Sequence, residues 1–176
     1  MTTLLGISGA LRAESTNTKL IRHAAKHFDA GTFVEADLRL PLYDGDLEAA
    51  EGVPASVQKL SDQIKSADAV IISTPEYNKA IPGVLKNALD WVSRTEGAPW
   101  RNKPVAIMSA AAGRAGGERA QFSLRLAMMA FRPRLIQGPE VLVAASGKAF
   151  DDNGTLTNEQ NDKALKELML DLKAMI

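Results

Sequence analysis

The sequence predicts an α/β domain, a parallel sheet of five strands with helices packed on both faces. Three observations carry this expectation. Short apolar runs alternate five times with stretches of helical periodicity, as parallel strands joined by crossover helices do. The first and third runs, Leu4–Ile7 and Ala69–Ser73, are almost wholly apolar, which fits strands buried on both faces. The second run, Thr32–Ala36, alternates polar with apolar and includes Glu35, which fits a half-exposed strand.

A half-exposed second strand beside buried first and third strands predicts the flavodoxin-like strand order 2-1-3-4-5. In that order the chain reverses direction between strands one and three, and ligands bind at the C-terminal ends of the strands there. The loops at that point are Ser8–Asn17 and Thr74–Ala80. The remaining strands are Val105–Ser109 and Val141–Ala145. Residues at spacings of three and four give each helix its buried face. These are Leu20, Ile21, Ala24, Ala25 and Phe28 in the first, and Val57, Leu60, Ile64 and Ala67 in the second, which opens with Pro54. Ile81, Val84, Leu85, Ala88, Leu89 and Val92 line the third. Ala120, Leu124, Ala127, Met128 and Phe131 line the fourth, and Leu165, Leu168, Met169, Leu172 and Ile176 the last. Leu40–Pro54 and Ser146–Asn158 read as long connections, not domain linkers. A single domain over residues 1–176 is expected.

Composition narrows the function. The absence of cysteine removes disulfides, iron–sulfur clusters and thiolate chemistry. A formal net charge of zero argues against wholesale nucleic-acid binding. No run approaches the roughly 20 apolar residues of a membrane span, and the start of the chain lacks a signal peptide's features; a cytoplasmic protein is expected. Charge is uneven, however. Between Arg94 and Arg134 the basic residues are Arg94, Arg101, Lys103, Arg114, Arg119, Arg125, Arg132 and Arg134, against Glu96 and Glu118 alone. Such a stretch is either a solvated face or an attractor for a phosphate-rich partner such as NAD(P)H.

The stretch Gly6–Leu20, GISGALRAESTNTKL, organises the chain. A strand ends, a polar loop follows, and a helix begins. Unpaired amides at a helix start, with about half a positive charge from the helix dipole, make an anion site. Arg12 adds a fork of donors suited to phosphate. Known phosphate loops do not match: there is no Walker lysine, and Gly6 and Gly9 do not complete G-x-G-x-x-G. Asp37 imitates the ribose acid of a Rossmann dehydrogenase, which keeps that fold as a rival. Gly6-Ile7-Ser8-Gly9 misses a nucleophile elbow by one place. Ser15 or Asn17 can also serve simply as a helix cap.

The third strand runs into Ser73-Thr74-Pro75-Glu76-Tyr77-Asn78-Lys79-Ala80-Ile81-Pro82-Gly83. Pro75 stops the strand and Pro82 stands where a helix starts. Between them Glu76, Tyr77 and Asn78 offer an acid, an aromatic plane and an amide, a set that can line one edge of a flat heteroaromatic ring or satisfy its own turn. After the fourth strand, Ser109–Gly117 is rich in small residues that let backbone approach a ligand. An amide there can stabilise negative charge on a reduced flavin.

These motifs resemble those of the NADPH-dependent FMN reductase family, flavodoxin-like flavoenzymes that include quinone, chromate and azo-dye reductases. Gly9-Ala10-Leu11-Arg12-Ala13-Glu14-Ser15-Thr16-Asn17 is similar to the family's G-S-L-R-x-x-S-x-N. Pro75–Asn78 and Pro82–Trp91 match P-E-Y-N and P-G-x-L-K-N-A-x-D-W. Ser109–Arg125 resembles S-A-S-x-G-x-x-G-G-x-R-A-Q-x-x-L-R. The resemblance implies FMN as cofactor and NADPH or NADH as co-substrate. It places Arg12, Ser15 and Asn17 at the phosphate end, and Ser8 and Thr18 of the same loop are counted as cofactor contacts beside them. It places Pro75, Glu76, Tyr77, Asn78, Ser109 and Gly113 around the isoalloxazine. It also implies a homodimer or homotetramer, with apolar residues of the third and fourth helices as its surface. Ala10 and Ala111 replace motif serines, which removes two hydroxyls. Phe122 stands where some relatives carry a tyrosine used in a tetramer contact.

Other constellations lead elsewhere. His23 and His27 have metal-ligand spacing, but no third ligand is near in sequence and a surface position is expected, so no metal is assigned. Trp91 and Trp100 read as core or subunit contact, and Met128, Met129 and Phe131 as core or dimer surface. The first strand ends in Gly6-Ile7-Ser8, without the acids of a receiver domain. The expected activity is hydride transfer from NAD(P)H through FMN to a quinone, flavin or azo acceptor, with no catalytic side chain. An FMN-binding electron carrier or sensor without turnover is the alternative.

Overall fold

The strands form where apolar side chains alternate between two cores. In the computed structural model, which describes residues 1–176, β1 (Thr3–Ser8) sends Leu4 to one face and Leu5 and Ile7 to the other; β3 (Ala69–Thr74) sends Ala69 and Ile71 one way, Val70 and Ile72 the other. Both strands are therefore buried on two sides, which explains their unbroken apolar runs. β2 (Thr32–Glu35) lies at the edge and is nowhere fully buried, as its alternation predicts. β4 (Pro104–Ala110) completes the central parallel sheet.

The order is β2-β1-β3-β4 followed by a fifth track, all parallel. That track differs from expectation in one respect. It is shared by two short strands, β5 (Arg134–Leu135) along the start of β4 and β6 (Leu142–Val143) along its end. The expected run Val141–Ala145 supplies only the second. Pro139 stands between them and has no N–H for a ladder.

On one face α1 (Thr16–Phe28) and α6 (Glu159–Lys173) pack together over the sheet. On the other lie α3 (Ala55–Ser66), α4 (Gly83–Val92) and α5 (Glu118–Met128). Pro54 and Pro82 stand at the N-caps of α3 and α4. The long connection before α3 holds a helix the periodicity did not reveal, α2 (Gly45–Glu51), which buries none of its residues. Ile176, expected on the last helix's core face, lies beyond α6 and is exposed. Trp91 and Trp100 are both core residues. Trp91 Nε1 donates to the Pro41 carbonyl at 2.8 Å, anchoring that connection.

Candidate functional site

Three loops leave the C-terminal ends of β1, β3 and β4 and meet at one cleft of about 210 Å³. Ala10, Arg12, Ser15 and Asn17 come from the first loop, Pro75, Glu76 and Tyr77 from the second, and Ala110 to Ala112 from the third. The first two are drawn together at Gly9, whose amide donates to the Ser73 carbonyl at 2.8 Å. A Cβ at Gly9 would lie 3.1 Å from Pro75 and 3.2 Å from Pro82, so the close approach depends on glycine. A larger cavity of about 410 Å³, between Val92, Trp100 and Phe131, adjoins the start of β4 at the opposite end of the sheet.

Several residues expected to touch a ligand are committed to the scaffold. Asn17, 2% exposed, donates from Nδ2 to the Ala110 carbonyl at 2.9 Å. Its Oδ1 accepts from Ser73 Oγ at 2.8 Å and from the Ala110 amide at 3.0 Å. One side chain thus ties α1 to β3 and β4, using both lone pairs of Oδ1 and one of the two Nδ2 hydrogens. Ser15 is the N-cap of α1, its Oγ accepting from the amides of Asn17 and Thr18. Thr18 Oγ1 donates to Ser8 Oγ at 2.9 Å, and Ser8 Oγ donates to the Ala10 carbonyl at 3.4 Å, so this pair braces the loop. Ser109, fully buried, donates to the Gly116 carbonyl at 2.7 Å and accepts from Gln121 Nε2 at 2.9 Å.

The β3–α4 loop is also partly self-satisfied. Tyr77 and Ala80 exchange amide-to-carbonyl hydrogen bonds at 3.0 and 3.1 Å, with Asn78 and Lys79 both at positive φ, as in a type I′ turn. Asn78 therefore serves this turn. Glu76 accepts from the Arg119 amide at 3.1 Å, with the Arg119 guanidinium 3.6 Å away, placing its carboxylate at the start of α5 where the helix dipole favours it. Tyr77, 55% exposed, keeps its ring available. Gly113 is exposed with open space around it.

What remains free is backbone and cation. The amides of Ala10 to Glu14 and of Thr16 make no hydrogen bond within the chain, nor do those of Ala112 and Gly113. The basic residues between Arg94 and Arg134 are mostly engaged: Arg94 with Glu48, Arg119 with Glu76, and Arg125 and Arg134 with carbonyls. Arg12, Lys79 and Arg114, one on each loop, are exposed cations on this edge of the sheet. Residues missed by sequence reasoning are Thr16 and Ser146. Both line the cleft, and Thr16 Oγ1 donates to Ser146 Oγ at 3.3 Å. Ser146 opens a stretch that the sequence marks only as a long connection.

The model of the NADPH-dependent FMN reductase family matches residues 2–148. The chain belongs to that family. It is 40% identical over 174 residues to the NAD(P)H-dependent FMN reductase PA1204 of Pseudomonas aeruginosa, covering 98% of this chain and 92% of the relative. It is 41% identical over 158 residues to the quinone reductase of Escherichia coli K12, covering 84% of each. Among solved structures it is similar to FerB, a flavoenzyme NAD(P)H:(acceptor) oxidoreductase from Paracoccus denitrificans. That similarity has a TM-score of 0.88 and 32% identity, covering 99% of this chain and 97% of the other. A Rossmann dehydrogenase is set aside on topology, because β1 lies between β2 and β3. Asp37, the imitator of its ribose acid, pairs with Arg39, whose guanidinium also donates to the Leu11 carbonyl at 2.9 Å. The connection that follows β2 thus steadies the β1–α1 loop.

His23 and His27 correct another expectation. His23 is only 5% exposed, and both rings meet Asp162 of α6. No helix is long and apolar enough to cross a membrane.

Proposed function

We propose that the protein is an FMN-dependent NAD(P)H oxidoreductase, one domain over residues 1–176, that reduces small acceptors such as quinones, free flavins or azo compounds. The observation that carries this is the meeting of three strand-end loops, with unspent amides and Arg12, on one cleft in a chain of this family. The donor set fits a flavin mononucleotide. The free amides of the β1–α1 loop and of Thr16, at the positive end of α1, suit a phosphate dianion, and Arg12 adds a charge-assisted fork. Ser15, Asn17, Ser8 and Thr18 hold that loop in shape.

Pro75 and Tyr77 supply the apolar and aromatic wall against which a flat ring packs. The unpaired amides of Glu76 and Ala112, both on the cleft, and of neighbouring Gly113 would be donors available to a bound ring where negative charge develops on reduction. FMN would supply the redox chemistry, taking a hydride from NAD(P)H and giving two electrons to the acceptor. Lys79 and Arg114 attract the phosphates of the nicotinamide nucleotide. No side-chain nucleophile or acid is needed, and one nucleotide site used in turn predicts ping-pong kinetics.

A homodimer completes the reading. Phe122, Leu126 and Met129 are 53%, 71% and 70% exposed, and their spacing along and just past α5 makes one apolar stripe. A second subunit packing there would cover it. The enzyme would act in the cytoplasm, where NAD(P)H is available.

The visible spectrum tests the proposal. Purified protein incubated with FMN and desalted should stay yellow, bleach with NADPH or NADH without oxygen, and recover colour on adding a quinone. Colourless protein after desalting would overturn the cofactor assignment. Yellow protein that neither nucleotide bleaches would point instead to an electron carrier or sensor.

A further inference from the structure

Away from the cleft, α1 and α6 bring together two imidazoles and a carboxylate. His23 and His27 lie one turn apart in the C-terminal half of α1. Asp162 lies in the first turn of α6. His23 Nε2 is 2.5 Å and His27 Nε2 2.8 Å from the same oxygen, Asp162 Oδ1. We propose that these three side chains form a binding site for a divalent cation of the zinc class, which clamps α1 to α6.

The geometry is close to what such an ion needs. The three ligand atoms lie within 4.8 Å of one another. A tetrahedral zinc with ligands at about 2.0–2.2 Å holds its ligand atoms about 3.3 Å apart. To admit it the rings open from the carboxylate by under about an ångström while their two nitrogens close on each other by about 1.5 Å, a repositioning within reach of side-chain rotation. Two imidazoles with one carboxylate suit zinc and its neighbours better than calcium or magnesium, which take oxygen ligands. His27 and Asp162 are part-exposed, so the ion has an entry path and water can complete its coordination. One feature limits affinity. His23 Nδ1 is buried without a partner, so this ring lacks the outer acceptor that usually orients a metal-bound histidine. Micromolar binding is expected.

The test is calorimetric titration of zinc chloride into untagged, FMN-loaded protein, with thermal melting in parallel. One saturable site per subunit is expected, with a melting temperature that rises with zinc. His27→Ala and Asp162→Asn should each weaken binding by at least the roughly 10–100-fold that even an outer-shell loss costs, with the flavin spectrum unchanged. Asparagine keeps the shape of Asp162 and can still accept from both rings, so Asp162→Asn decides the matter should His27→Ala not fold. Absence of saturable binding to the parent protein would overturn the proposal, as would undiminished binding to a yellow, folded Asp162→Asn variant.

Discussion

Asn17→Ala separates a ligand contact from a structural one. Replacing this side chain removes three hydrogen bonds at once, to the Ala110 carbonyl, from the Ala110 amide and from Ser73 Oγ. Each partner is buried, and a buried polar group left unpaired costs about 1–3 kcal/mol. Taken near the low end, because water can enter a small void, the loss is about 3–5 kcal/mol. That is a large share of the roughly 5–15 kcal/mol that stabilises a typical domain. With a urea slope of about 2 kcal/mol per molar, the midpoint should fall by about 2 M. The assay is urea unfolding of flavin-free protein followed by circular dichroism, so that FMN cannot contribute. Ser73→Ala, which deletes one of the three bonds, should cost about 1 kcal/mol. A flavin-free Asn17→Ala protein as stable as its parent, but with FMN affinity lost, would refute the reasoning and return Asn17 to the phosphate.

Three other outcomes are expected. Arg12→Ala removes an exposed guanidinium with no partner in the chain, so folding should be unchanged. FMN affinity should fall by about 10- to 150-fold, the equivalent of a 1.5–3 kcal/mol charged hydrogen bond, measured by quenching of flavin fluorescence. Gly117→Ala should destabilise the protein by over about 1 kcal/mol in thermal or urea unfolding; φ is +93° and the new Cβ would lie 2.8 Å from Ser109 Cβ. Leu126→Glu, on the exposed stripe of α5, should yield a monomer in light scattering while the circular dichroism stays that of the parent, and an unchanged dimer would move the interface elsewhere.

The parts of the fold legible in the sequence are those where burial leaves a periodic trace. The two-faced cores around β1 and β3 show as unbroken apolar runs, and the edge position of β2 shows as alternation. α2 buries none of its residues, so it leaves no periodic signal to read. β5 has only two residues, its place along β4 fixed by tertiary contact. For the site, the three loops were legible because strand ends and turn residues mark them, whereas the use of each side chain was not. Asn17 can point outward to a ligand or inward to Ala110, and only the packed sheet decides. The burial of His23 depends on Asp162, 139 residues away, a separation no local pattern spans.

The cleft divides labour between side chains and backbone. The hydroxyls and amide that look most like ligands in the motif, those of Ser15, Asn17, Thr18 and Ser109, bond to the protein itself. The groups left over are main-chain amides, three cations, and one undonated hydrogen each on Ser15 Oγ and Asn17 Nδ2. Main-chain donors are the same whatever residue carries them, so the loop's shape matters more than its hydroxyl count. This bears on the two motif serines replaced here. Ala10 keeps a free amide on the cleft, so its substitution removes a hydroxyl without removing a donor from the backbone. Ala111 has its amide bonded to the Val143 carbonyl and its carbonyl to the Ser146 amide, at 3.0 and 3.1 Å, which places it in the frame joining the β4–α5 loop to the end of β6. At neither position does the alanine disturb the braces that fix the loops. The proposed anion site would therefore depend chiefly on the covalent path of the chain through Gly9 and Ser15, and on Arg12, rather than on serines at every motif position.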